Sequence, residues 1–222
     1  MNKHVGNLAP IKTVGEPNKS VQVVITAPNI QTLEFNLIGT APLMIAAFSQ
    51  KSKEKIKATH EAGQQAKGKK VREARNFEED CKAATHVSNE GWAGVHAGAF
   101  RTAMIDVCRL VGYKMTIAKL SIFIEPDGFA TDNGTPVVRI IGPEPEMNIS
   151  GVRNANGGLD LRARPMWRKW AIKLRVKYDN DQFAKQDIAN LLARAGIQCG
   201  IGEGRPNSRM STGIGFGTFR VE

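Results

Sequence analysis

The stretch Lys169 to Tyr178, KWAIKLRVKY, restricts the possible folds more than any other part of the chain. Trp170, Ile172, Leu174, Val176 and Tyr178 fall on alternate positions, and Lys169, Lys173, Arg175 and Lys177 fall between them. A two-residue period puts the first set on one side of a strand and the second on the other. One face of this strand must therefore lie in a core and the other must meet solvent. Such a strand belongs to an antiparallel sheet covered on one side.

The flanking segments supply the cover. Asn180 or Asp181 is placed to cap a helix whose apolar stripe is Phe183, Ile188, Leu191, Leu192 and Ala195 and which Gly196 ends, before a last strand from Gly215 to Val221. The first half repeats this order. Thr32 to Ile38 alternates as a strand, after a further extended run at Val21 to Ile25. Gly98 to Val111 follows as a helix, with Phe100, Met104, Val107 or Cys108, and Val111 at three- and four-residue steps and Gly112 as its cap; Leu120 to Glu125 then reads as a strand. Strand, helix, strand followed by strand, helix, strand is the connectivity of a ferredoxin-like, RNA-recognition-type α+β fold.

The expected organisation is an N-terminal arm, residues 1–20, and a single domain, residues 21–222, with insertions at about 42–96 and 126–166. The first insertion holds a short apolar helix or an extended docking segment (Ala41 to Phe48), a polar helix (Ser52 to Ala66), a mobile basic loop (AGQQAKGKK) and a second helix (Asn76 to Val87). The second holds a short strand, Val137 to Ile141, and a long loop, Gly142 to Pro165, rich in Gly, Asn and Pro.

The 222 residues carry 31 Lys plus Arg and 21 Asp plus Glu, a net charge of +10. That excess is concentrated. Lys51 to Arg75 holds nine basic residues and only Glu54, Glu61 and Glu73, while Ser150 to Lys177 holds eight basic residues and only Asp160. The two blocks have nets of +6 and +7, which leaves −3 for everything else. Solubility alone gives no reason for such concentration, whereas a polyanion-binding surface does.

Other classes are disfavoured. No apolar stretch reaches the roughly 18 to 20 residues that cross a bilayer, and the polar N-terminus has no signal core, so no membrane role and a cytoplasmic location in a bacterium or phage-infected cell are expected. Cys81, Cys108 and Cys199 are odd in number and widely spaced, which suggests neither a disulfide framework nor a zinc site. No metal and no cofactor are expected. GQQAKGKK (Gly63 to Lys70) approaches the phosphate-binding P-loop, but Lys70 replaces the hydroxyl that holds magnesium and no strand precedes it. The C-terminal glycines lie between a helix and a strand, the reverse of the dinucleotide arrangement. Such a loop brings backbone N–H groups near a phosphate chain, with Arg205 and Arg209 alongside. Trp167 and Phe216 fall beside basic residues by strand parity and are candidates for base stacking, whereas Trp92 reads as a packing anchor. Among the histidines, His96 is the candidate acid or base, because it stands immediately before the helix that carries Arg101.

Three stretches together resemble the RAMP superfamily, the ferredoxin-like RNA-binding proteins that supply backbone subunits and guide-processing nucleases of CRISPR complexes. GTAPLMI (Gly39 to Ile45) is similar to that family's glycine-threonine-proline-leucine segment after the first strand. GVHAGAFRTAMIDVCR (Gly94 to Arg109) resembles its helix start, with Arg101 and Ala103 in matching places, although Val95-His96-Ala97 replaces the usual isoleucine-proline pair. GIGEGRPNSRMSTGIGFGTFRV (Gly200 to Val221) resembles its glycine-rich loop, with Thr212 where a basic residue is common. The resemblance implies a backbone-type, non-cleaving protein that polymerises along single-stranded RNA, gripping phosphates and kinking the strand with an inserted hairpin. A free-standing phage or mobile-element relative would coat single-stranded DNA in the same way.

The expected function is thus non-enzymatic, largely sequence-nonspecific binding of single-stranded RNA or DNA, with self-association into an oligomer or filament. The expected contacts are Lys51, Lys53, Lys67, Lys69, Lys70, Arg72, Arg101, Arg153, Arg162, Arg164, Trp167, Lys169, Lys173, Arg175, Arg205 and Arg209. The alternatives are a metal-independent endoribonuclease with His96 as general acid or base, and a structural assembly protein whose basic surface meets an acidic partner.

Overall fold

A computed structural model of the chain describes residues 25–48, 50–61, 63, 74–153, 158–209 and 213–222. Its elements in chain order are β1 (Ile30–Gly39), β2 (Leu43–Met44), α1 (Gln50–Glu61), α2 (Phe77–Ala83), β3 (His86–Val87), β4 (Ala93–His96) and α3 (Ala97–Cys108). Then follow α4 (Met115–Ser121), β5 (Ile122–Glu125), β6 (Gly128–Phe129), β7 (Pro136–Arg139), β8 (Glu146–Arg153), β9 (Leu159–Trp167), β10 (Ala171–Asp179), α5 (Lys185–Arg194) and β11 (Phe219–Val221). The molecule is mixed α and β with antiparallel sheets. The arm at 1–20, the run Val21 to Val24 and nearly all of the GQQAKGKK loop lie outside the described residues.

The alternation in β10 sets the main sheet, whose strand order is β11-β1-β10-β5 with every neighbouring pair antiparallel. In register, Leu33, Phe35 and Leu37 of β1 oppose Val176, Leu174 and Ile172 of β10, so the two apolar rows share one face. Ile122 of β5 and Phe219 of β11 extend that face, and α3 and α5 pack on it through Phe100, Met104, Val107, Ile188 and Leu192. Each such fully buried side chain contributes about 1.5–3 kcal/mol of transfer free energy. At the end of the sheet Phe219 meets Phe100 and Trp170 edge-on, with ring centroids 6.0 and 6.2 Å apart. Trp170 donates its indole N–H to the Ala41 carbonyl at 2.8 Å, and its ring lies so close over Gly39 that any side chain there would strike it. That close approach is the physical role of the glycine in GTAPL.

Two smaller sheets flank the first, with strand orders β2-β9-β8 and β3-β4-β7-β6. They correct the expected loop at Gly142 to Pro165, most of which is the β8–β9 hairpin, paired from Glu146↔Met166 to Arg153↔Leu159. The pattern was present in Met147, Ile149, Leu159 and Leu161, but these side chains remain exposed, so their alternation does not trace a buried face. One open alternative is decided and two further expectations change. Of the two alternatives for Ala41 to Phe48, the segment is the extended one and contains β2. The N-cap of α5 is Ala184, whose N–H donates to Asp187, and not Asn180 or Asp181. Gly196 does not end the helix but lies inside a π-helical turn, Ala195–Cys199, where its missing side chain lets the Phe219 backbone approach. Among the described residues, no helix is long and apolar enough to cross a membrane.

Candidate nucleic-acid interface

The outer face of the main sheet is open: Thr32, Glu34, Asn36, Phe123, Lys173 and Arg220 are all exposed there. It is not the basic strip that β10 alone suggests. Lys173 Nζ lies 2.7 Å from Glu34, Arg175 binds Glu125 and Asp127 at 3.1 and 3.0 Å, Lys177 reaches Glu125 at 2.9 Å, and Arg220 reaches Glu222 at 2.5 Å. Four cations thus face four carboxylates. The hydrogen bonds from Lys177 and Arg175 hold the Glu125 carboxyl below its ordinary range, so it stays charged in mildly acidic solution. Surplus positive charge must come from elsewhere.

It comes from the first block and from the part of the second that precedes β10. In the first, Lys53 on α1 stands 4.0 Å from Asp132, and Lys51 belongs to the same helix. Lys67, Lys69, Lys70 and Arg72 lie outside the described residues. Asn76 accepts N–H donation from Glu78 and Glu79, which starts α2 and sets Arg75 just ahead of it. Arg75 donates to Asp80 at 2.6 Å and across to Asp160 of β9 at 2.8 Å. These two carboxylates hold its guanidinium more firmly protonated than usual. The second block brings Arg162 and Arg164 onto the same side of β9 as Asp160, and Arg153 ends the paired strand β8. Arg164 donates to Glu203 of the glycine-rich loop at 2.8 Å, and Lys169 is exposed in the turn before β10.

The glycine loop spends its N–H groups internally. Ile201, Glu203 and Gly217 donate to the carbonyls of Gly217, Met44 and Pro42, while Gly215 and Phe216 both donate to Gly204. Arg205 donates to the Gly202 carbonyl at 3.0 Å, and Arg209 is exposed. The loop is packed against the Pro42–Met44 segment, and at Gly202 any side chain would strike the Met44 carbonyl.

Three candidates change role. Arg101 donates to the carbonyls of Ile122, at 2.8 Å, and Lys119, and stands over the Phe123 ring at 5.5 Å, so it ties α3 to the α4–β5 junction. Trp167 is 3% exposed: it ends β9, paired with Leu43, while Lys169 sits beyond the strand, so parity counted back from β10 misplaced it. A buried indole cannot stack on a base. His96 caps α3, its Nδ1 accepting the Gly98 N–H at 2.8 Å, and its ring lies 6.5 Å from that of His86. His86 Nδ1 is buried with no hydrogen-bond partner among the described residues, and burial, followed by the proximity of His96, pushes its pKa down. No group of three or more His, Cys, Asp or Glu among the described residues could hold a metal ion.

No protein family and no curated protein matches the chain. Two positions escaped the sequence reading. Arg75 is the residue that links the two charge blocks, and its only signal was its place at the end of the first block. Arg139 follows Val137 and Val138, both fully buried, and is itself exposed beside Trp92; a lone cation in a short apolar strand gave little reason to single it out.

Proposed function

We propose that this protein is a non-enzymatic binder of single-stranded nucleic acid, RNA or DNA, with little sequence preference, built on a ferredoxin-like core and self-associating along the strand. One observation carries the reading. The C-terminal end of the first block meets the second: Arg75 reaches Asp160, the only carboxylate of the second block, and α2, which follows Arg75, packs on β9. Two separate solvated faces would have no need to converge, whereas a phosphate chain gains from a continuous positive field.

The topology supports the proposed core. Counted in chain order, the four strands β1, β5, β10 and β11 stand four-one-three-two in the sheet, with α3 between the first two and α5 between the last two. That order leaves one sheet face open, the face on which RNA-recognition modules receive unpaired bases. On this chain the open face is neutral, so phosphate neutralisation falls to the flanking blocks.

The test is a salt titration of a fluorescently labelled single-stranded RNA and its DNA counterpart, followed by anisotropy and run in EDTA so that labelled RNA also reports cleavage. With six to ten phosphates engaged, affinity falls by roughly three to five decades between 50 and 200 mM salt and the RNA stays intact. Binding that ignores salt, or cleavage that depends on His96, overturns the reading.

A further inference from the structure

A cleft of about 280 Å³ opens where the β3-β4-β7-β6 sheet meets the outer face of β10, lined by Glu90, Trp92, Asp127, Arg139, Ile141 and Lys173. Trp92 precedes β4, and the six-membered part of its indole lies over Gly94 and Gly128, where side chains would crowd the ring. Its N–H donates to Glu90 Oε2 at 3.0 Å, which fixes the ring's rotation. Gly94 pairs directly with Arg139 across β4 and β7, so the indole and the guanidinium rise from the same sheet face.

The charges around the ring are unequal in their commitments. Asp127 accepts from the Arg139 backbone N–H at 2.8 Å and binds Arg175 at 3.0 Å, Glu90 holds the indole, and Lys173 faces Glu34. The Arg139 side chain is exposed and has no hydrogen bond or ion pair among the described residues. An orientated aromatic face beside an uncommitted guanidinium, in a recess just below the usual size of a whole-ligand pocket, matches one nucleotide: a base to stack and a phosphate to pair.

We infer that this cleft is a nucleotide-stacking site, in which Trp92 takes one base of a bound single strand and Arg139 its phosphate. The inference rests on the proposed nucleic-acid reading and adds to it a site that binds the base itself. Base stacking tolerates any sequence, because every base has a π-face. The site therefore fits a binder of low selectivity.

The experiment compares two labelled oligomers of equal length, an oligouridylate and one with abasic units, on the parent protein and on Trp92→Ala, Trp92→Phe and Arg139→Gln, each checked for an unchanged thermal transition. Trp92→Ala should lower affinity for the oligouridylate roughly 5- to 100-fold and leave the abasic oligomer within about twofold, while Trp92→Phe keeps most of the affinity. Arg139→Gln should weaken both oligomers. Tryptophan fluorescence gives a second readout, since Trp167 and Trp170 are 3% and 4% exposed and quenching by the oligouridylate must then come from Trp92. If the parent binds the oligouridylate and Trp92→Ala binds it equally, without quenching in the parent, the stacking site is wrong and the broader reading stands. If the parent binds neither oligomer, the broader reading fails and takes the site with it.

Discussion

Arg75 and Asp160 are 85 positions apart in sequence, yet Arg75 donates to the Asp160 carboxylate at 2.8 Å. The bond fastens the start of α2 to β9 and cancels charge where the two basic blocks meet. As a partly exposed pair it contributes at most about 1 kcal/mol to stability. Replacing Asp160 by Asn should therefore cost little in a urea melt while adding one net positive charge to the junction. Single-strand affinity should rise severalfold and the salt slope should steepen by about one unit. An unchanged slope would place the phosphate path elsewhere.

Arg101 separates structural from functional arginines. Its guanidinium bonds two backbone carbonyls, of Ile122 and Lys119, at the junction before β5. Charge-assisted bonds of this kind are worth about 1.5–3 kcal/mol each, and removing the donor leaves both acceptors without it. Arg101→Ala should lower unfolding free energy by roughly 2–4 kcal/mol, and the folded fraction should bind oligonucleotide as the parent does. A variant of parental stability that has lost binding would restore Arg101 to the interface.

Gly217 and Gly134 test how the glycine-rich loop is held. Both have positive φ, at 67° and 66°, but a side chain on Gly217 would strike the Ile201 carbonyl, whereas none on Gly134 would meet an atom within 4 Å. Backbone preference alone costs Ala about 1–2 kcal/mol in the left-handed region. Gly134→Ala should lose about that amount, and Gly217→Ala should lose roughly 2 kcal/mol more, or fail to fold, because backbone must move. Equal losses at the two sites would mean that the loop yields freely.

The main sheet was legible because both of its long strands are half buried: β10 and β1 each show their period in side-chain chemistry, and α3 and α5 carry stripes that match. The hairpin β8–β9 was not, since Met147, Ile149, Leu159 and Leu161 are exposed, and outward apolar residues erase the polar and apolar contrast that marks a buried face. The candidate site divided in the same way. Concentrations of charge are visible in sequence, but cross-strand partners are not, so the cations of β10 read as free when Glu34, Glu125 and Asp127 stand beside them. Trp167 was misplaced because the turn at 168–170 separates β9 from β10, so parity counted back from β10 does not carry across it.

His86 gives the chain a pH-dependent stability whose sign follows from its surroundings. Its Nδ1 is buried without a partner among the described residues, and burial, with the nearby His96 ring, drives its pKa below the ordinary value, as Lys53 also does, while Asp132 opposes them. In the unfolded chain the imidazole titrates near 6.5. Above that value it is neutral in both states and stability is full. As pH falls below it, the unfolded chain takes up a proton that the folded chain refuses, so stability declines until the folded value is reached and changes no further on this account. Urea midpoints measured from about pH 7.5 to about pH 5 should fall in the parent and fall less in His86→Phe, which cannot take up that proton. His96→Asn keeps a side-chain cap on α3 and serves as the control for the neighbouring ring. If His86→Phe declines as steeply as the parent, the acid sensitivity belongs to other groups.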